Sequence, residues 1–126
     1  MFQDPLLLPW RTIKENLILG LDIKKVSKEI AFKKALSLLK EFNLEKYEDQ
    51  YPLVLSGGMK QKVSLLRTLL FNDSFLLLDE PFGALDQITR HSLQLWLKQV
   101  LKKFKTTTLF ITHDIREAKL LSDRII

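Results

Sequence analysis

Residues 55–86, LSGGMKQKVSLLRTLLFNDSFLLLDEPFGALD, hold two groups suited to opposite charges. Ser56-Gly57-Gly58 offers a hydroxyl and backbone N–H groups that no Cβ obstructs. At the start of a helix such N–H groups lack intrahelical partners, and the helix dipole favours an anion there. An ordinary capped turn uses the same residue types, so both readings stay open. Asp79 and Glu80 directly follow four large apolar residues. Beyond the carboxyl end of a parallel strand, where ligands of such sheets bind, alternation sends the two side chains in different directions. One can hold magnesium, directly or through water, while the other faces an attacking water. Solvated loop acids before Pro81 are the other reading. His113 follows a second strand-like run, TTTLFIT, and can donate to a γ-phosphate, position a water or simply sit at a helix cap. Gln3 is an amide beside a prolyl loop that can ligate a metal or face water. One nucleoside triphosphate with its magnesium would satisfy the glycines and the carboxylates together.

The elements that must position these residues are legible from periodicity. Pro5 and Pro9 keep the first residues in a loop. From Arg11, Ile13, Leu17 and Leu21 recur every four residues and predict a short helix over RTIKENLILGL, whose end Gly20 leaves open. Asp22 or Ser27 then caps a longer helix with Ala31, Ala35, Leu38, Leu39 and Phe42 inward, ended by Asn43. The stretch EKYEDQYPLVLSGG reads as a connection. A helix from Gly58 or Met59 to Phe71 follows, with Val63, Leu66 and Leu70 on one face. FLLL fits a parallel strand buried on both faces. Leu93, Trp96, Leu97, Val100, Leu101 and Phe104 trace the most regular amphipathic helix. TTTLFIT is β-branched and aromatic, hence a strand. HDIREAKLLSD gives a short helix with Ile115, Ala118 and Leu121 or Leu120 inward, and RII starts a third strand. Alternating strands and helices predict an α/β fold with a parallel sheet in the second half, after a mostly helical first half.

The 126 residues are one domain's worth of chain, with 46% hydrophobic and 28% charged residues, values that exclude disorder. No apolar run reaches the roughly 18 residues of a membrane span, and Asp4 with two prolines breaks up the N-terminal stretch where a signal peptide would need continuity. The absence of cysteine excludes disulfides and thiolate chemistry. The net charge of +5 is spread as lysine pairs among apolar and acidic residues, the pattern of solvated helix faces rather than a nucleic-acid surface. Lysine outnumbers arginine, which argues against bidentate phosphate recognition. His91 lies in the amphipathic helix and reads as a surface residue.

Taken together the chain resembles the nucleotide-binding subunit of ATP-binding-cassette (ABC) transporters along essentially its whole length. LSGGM at 55–59 is similar to the family's signature motif, FLLLDEP at 75–81 to its Walker B strand and GALD at 83–86 to its D-loop. ITHD at 111–114 is similar to the switch-histidine segment and FQD at 2–4 to the Q-loop. LLLPWRTIKENL, LSGGM and LLSDRII more narrowly resemble the importers of nitrate, sulfonates or taurine. The resemblance implies part of a P-loop NTPase fold. Residues 1–72 would carry the Q-loop, helical subdomain and signature helix, and 73–126 the Walker B, D-loop and switch-histidine part of the core. It further implies ATP and Mg2+ as ligands, with Asp79 in the magnesium shell, Glu80 polarising the hydrolytic water and His113 at the γ-phosphate. Gln3 would sense metal and water. Ser56, Gly57, Gly58 and Met59 would meet the nucleotide of the facing subunit, and Asp86 would communicate across that head-to-tail dimer. Permease subunits would lie against Pro5–Leu21, at the cytoplasmic face of the membrane, and no nucleic acid is expected.

The sequence departs from the family in two respects. No GxxxxGK[ST] loop occurs, since the four glycines are Gly20, Gly57, Gly58 and Gly83. The aromatic residue that stacks on adenine in the family is missing as well. These departures make the chain an expected internal fragment, inactive alone and poorly soluble. Two other classes stand beside this reading. A DNA-repair or chromosome-organising ATPase would carry long coiled coils between Gln3 and Ser56, where no extended heptad run occurs. A truncated, non-catalytic interaction protein would have no use for Glu80 and His113.

Overall fold

A computed structural model describes residues 4–72 and 74–126. Among the described residues six helices and two strands follow one another: α1 Ile13–Leu17, α2 Leu19–Ile23, α3 Lys28–Glu41, α4 Gly57–Phe71, β1 Phe75–Asp79, α5 Gln87–Phe104, β2 Thr107–Ile111 and α6 Ile115–Leu121. Single 3-10 turns at Glu45–Tyr47 and Pro52–Val54 fill the connection between α3 and α4. The strands pair in parallel, with Phe75 opposite Thr107 and Asp79 opposite Ile111. This alternation is the expected α/β arrangement.

The helix expected from Arg11 is two helices. Thr12 starts α1 with a capping box: its Oγ1 accepts from the Glu15 N–H at 3.4 Å, and Glu15 Oε2 accepts from the Thr12 N–H at 2.8 Å. Ile18 then serves as the last cap of α1 and the first of α2. Gly20 lies inside α2, where a Cβ would stand 2.6 Å from the Phe71 ring of α4, so packing calls for glycine there. Asn16 is fully buried and secures the prolyl loop, accepting from the Leu8 N–H at 2.7 Å and donating to the Leu8 carbonyl at 3.1 Å. Arg67 of α4 grips the same loop through the carbonyls of Pro5 and Leu6, each at 2.9 Å.

Neither candidate cap of α3 acts as one through its side chain. Ser27 occupies the position without a cap hydrogen bond, and Asp22 instead pairs with Arg11 at 3.2 Å. Asn43 does end the helix, in the left-handed region at φ 58°. Phe42 docks α3 onto α5 by an edge contact with Trp96 and a stack on Phe104, at ring distances of 5.4 and 6.5 Å. A salt bridge from Lys103 to Glu41 closes the same junction.

The core is continuous from the first helices to the sheet: Ile13, Leu17, Leu39, Val63, Leu66, Leu76, Leu78, Leu97 and Val100 are all buried in it. Each such side chain contributes about 1.5–3 kcal/mol relative to exposure. Three expectations fail here. Leu76 and Leu78 of β1 are buried, but Phe75 and Leu77 face out, Leu77 with 46% exposure, so the strand is covered on one face only. Ile115 of α6 is 70% exposed, and Glu117 is the side chain that α6 buries. Arg124–Ile126 form no strand, because no sheet edge among the described residues takes their backbone groups.

Candidate functional site

Parallel pairing places the carboxyl ends of β1 and β2 side by side. The Glu80 N–H donates to the Ile111 carbonyl at 2.9 Å, extending the ladder one residue past β1. Glu80 itself turns to φ 40°, a left-handed backbone that costs a non-glycine residue about 1–3 kcal/mol. The Gly83 N–H closes the turn on the Glu80 carbonyl at 3.1 Å. Buried Pro81 and Phe82 anchor it, the Phe82 ring lying 6.0 Å from that of Phe110 on β2. The turn aims the Glu80 carboxylate across the strand ends, where His113 Nδ1 lies 2.9 Å from Oε1. A carboxylate can only accept, so the proton of this contact is on Nδ1. The hydrogen bond to Glu80, with the charge of that carboxylate, raises the His113 pKa above the ordinary imidazole value. Glu117 and Asp114 add to the rise, and partial desolvation opposes it. The helix cap after β2 is Asp114, which accepts from the Arg116 N–H at 2.7 Å, so His113 is not the cap.

A buried carboxylate absent from the sequence reading holds this segment. Glu117 accepts from Thr112 Oγ1 at 2.6 Å and from Gln94 Nε2 of α5 at 2.9 Å. Thr112 in turn accepts from the Asp114 N–H at 3.0 Å, so both flanks of His113 are fixed to α5 and α6. No signal in the sequence marked it, because the apolar residues Ile115, Ala118 and Leu121 or Leu120 pointed to a different inward side; once buried, the charge requires partners.

Ser56 is the N-cap of α4, with Oγ accepting from the Met59 N–H at 3.3 Å. The capped turn is therefore real, and it presents the exposed Gly57 N–H at the first position of a 15-residue helix. Gly58 is buried, and a Cβ on it would meet Thr89 Cγ2 of α5 at 2.7 Å. Close packing, not only room for a ligand, explains that glycine. A Cβ on Gly57 would touch Leu85 at 3.4 Å. The Ser-Gly-Gly turn and the loop before Asp86 are thus in contact. Asp86 caps α5, accepting from the Ile88 and Thr89 N–H groups at 3.1 and 3.0 Å, and its hydrogen bonds, that with the Thr89 side chain foremost, hold its pKa low.

Among the candidates, Glu80 and His113 are brought into contact, and Asp79 is exposed beside them at the last paired position of β1. The Ser56–Met59 turn meets the Asp86 loop. Gln3 lies outside the described residues. No cluster of three or more metal-ligating side chains occurs among the described residues. This donor set fits magnesium, which takes one or two carboxylates and completes its shell with water and substrate phosphates.

The ABC transporter family model matches residues 1–83. The formylaminopyrimidine import ATP-binding protein ThiZ of Halalkalibacterium halodurans is 48% identical over 125 residues, 99% of this chain and 50% of that protein. The aliphatic sulfonates import ATP-binding protein SsuB 1 of Agrobacterium fabrum is 46% identical over 127 residues, 100% of this chain and 45% of that protein. The chain thus spans about half the length of the curated relatives it matches. Among solved structures, the dimeric post-hydrolysis state of the ATP-binding cassette MJ0796, bound to ADP and Pi, superposes with a TM-score of 0.73 at 36% identity, over 94% of this chain and 53% of that one.

Proposed function

Because the chain belongs to the ABC transporter family, we propose that it supplies the signature, Walker B and switch-histidine half of an ATPase that drives solute import. The observation carrying this reading is the 2.9 Å contact between Glu80 and His113 at the adjoining ends of two parallel strands. Glu80 orients and polarises the attacking water. The contact with Glu80 occupies Nδ1 of His113 and leaves Nε2 to face the γ-phosphate, to which the imidazolium, the form that Glu80 favours, donates where charge grows in the transition state. Asp79 holds magnesium through water or directly, and Gln3 completes that shell. Magnesium, when bound, neutralises charge on the β- and γ-phosphates.

Ser56, Gly57, Gly58 and Met59 then face the nucleotide of a second subunit in a head-to-tail dimer, and Asp86 lies on the same front. Residues 1–72 form the Q-loop, helical and signature part, and residues 73–126 the Walker B, D-loop and switch part. The loop from Pro5 and the exposed Trp10 face the permease subunits, which puts the assembled protein at the cytoplasmic face of the membrane. The helices among the described residues are too short or too polar to cross it themselves. The solute class is that of the sulfonate, taurine and nitrate importers, a reading supported by the sulfonate-importer relative.

A phosphate-binding loop is not among the 126 residues, and positioning of the phosphates supplies most of phosphoryl-transfer catalysis. These residues alone therefore release no phosphate from ATP. Joined to the remaining half of the 48%-identical relative, they hydrolyse ATP, and Glu80→Gln in that chimera abolishes turnover while nucleotide binding persists. Steady-state phosphate release with a nucleotide-binding titration checks this. Glu80-dependent turnover by the lone chain, or a fully active Glu80→Gln chimera, overturns it.

A further inference from the structure

We infer that Gln61 is a positioning residue that ties the signature helix to the strained turn at Glu80. This rests on Glu80 being the residue that orients the hydrolytic water. Gln61 lies one turn into α4, on the inward row Gly58, Gln61, Leu65 and Leu69. It is a polar side chain with 3% exposure in an otherwise apolar row, so its placement requires a specific partner. Its Nε2 donates to the Pro81 carbonyl at 2.6 Å, in a buried bond spanning 20 residues.

That carbonyl belongs to the residue directly after Glu80, whose left-handed φ of 40° persists only if its surroundings over-determine it. Three hydrogen bonds do so. The Glu80 N–H is held by the Ile111 carbonyl, the Glu80 carbonyl by the Gly83 N–H, and the Pro81 carbonyl by Gln61. The first two lie within the sheet and its turn. The third comes from the helix whose first residues form the Ser-Gly-Gly turn.

Gln61→Met removes the donor and keeps the length and volume of the side chain. Amide exchange of residues 80–85, followed by mass spectrometry at low micromolar concentration, is expected to accelerate about tenfold, the effect of losing one buried hydrogen bond. Exchange within Val63–Leu69 of α4 is expected to stay within about twofold. In the active chimera the same variant lowers kcat about tenfold with the KM for ATP unchanged. Exchange of 80–85 unchanged, or accelerated equally throughout α4, overturns the inference, as does a kcat within twofold of the parent. Gln61→Leu repeats the test should the methionine variant fold poorly. The exchange measurement needs no nucleotide, so a chimera without turnover defeats the hydrolytic reading of Glu80 and leaves the Gln61 tie to be judged separately.

Discussion

At the strand ends, Glu80 combines a left-handed backbone with a carboxylate that holds a histidine proton, and both depend on groups distant in sequence. The imidazole of His113 faces Glu80, Glu117 and Asp114, all of which raise its pKa. A group whose folded pKa is raised stabilises the fold fully below its unfolded value, near 6.5, and loses that contribution as pH rises through the folded value. The Glu80–His113 contact thus contributes fully below about pH 6.5 and weakens as pH rises through the raised folded value. Glu80→Gln removes the largest cause and is expected to lower the His113 midpoint toward the ordinary imidazole value. Proton NMR titration of the ring checks it, with His91→Asn assigning the second of the two histidine signals. An unmoved midpoint would mean that Glu80 does not set the charge of His113.

Periodicity made α3, α4 and α5 readable because each buries a regular row of apolar side chains, and an apolar run and a β-branched, aromatic run marked the two strands. What it could not convey is which atoms of one element stop another. Gly58 is the clearest case. Its type suited a ligand-contacting turn, yet the space for its Cβ is filled by Thr89 Cγ2 at 2.7 Å. Gly58→Ala is expected to destabilise the chain by about 1–2 kcal/mol, the overpacking strain exceeding the gain in helix propensity. Thr89→Ser deletes the obstructing methyl and keeps the hydroxyl near Asp86, so the double variant should recover most of the loss. Denaturant melts of the two single variants and the double check this; an additive double variant would place the strain elsewhere. The division between α1 and α2 escaped periodicity for a related reason. Ile13, Leu17 and Leu21 keep helical spacing across the break at Ile18, so the apolar row carries no mark of it.

At the scale of the whole molecule, helices among the described residues cover one side of the sheet and leave the other bare. Phe75, Leu77, Leu109 and Ile111 lie on that bare side, each about half exposed. A contiguous apolar surface of this kind favours association. Leu77→Thr with Leu109→Lys is expected to shift the isolated chain toward monomer with little change in stability, since neither side chain is in the buried core. Sedimentation velocity over a range of concentrations measures it, and self-association unchanged by the pair would locate the sticky surface elsewhere.

The sequence by itself determined the order of elements from α3 to α6, the parallel strand pair, the family and the residue types available for chemistry, because motif spacing and apolar periodicity are local properties. Tertiary structure alone decided that Glu80 meets His113, that Gly58 yields to Thr89, and that Gln61 and Glu117 are buried polar ties. Those outcomes rest on contacts between residues 20 or more positions apart, across the core or between two loops. Such contacts depend on how packed elements are rotated about one another, and no pattern along the chain records that rotation.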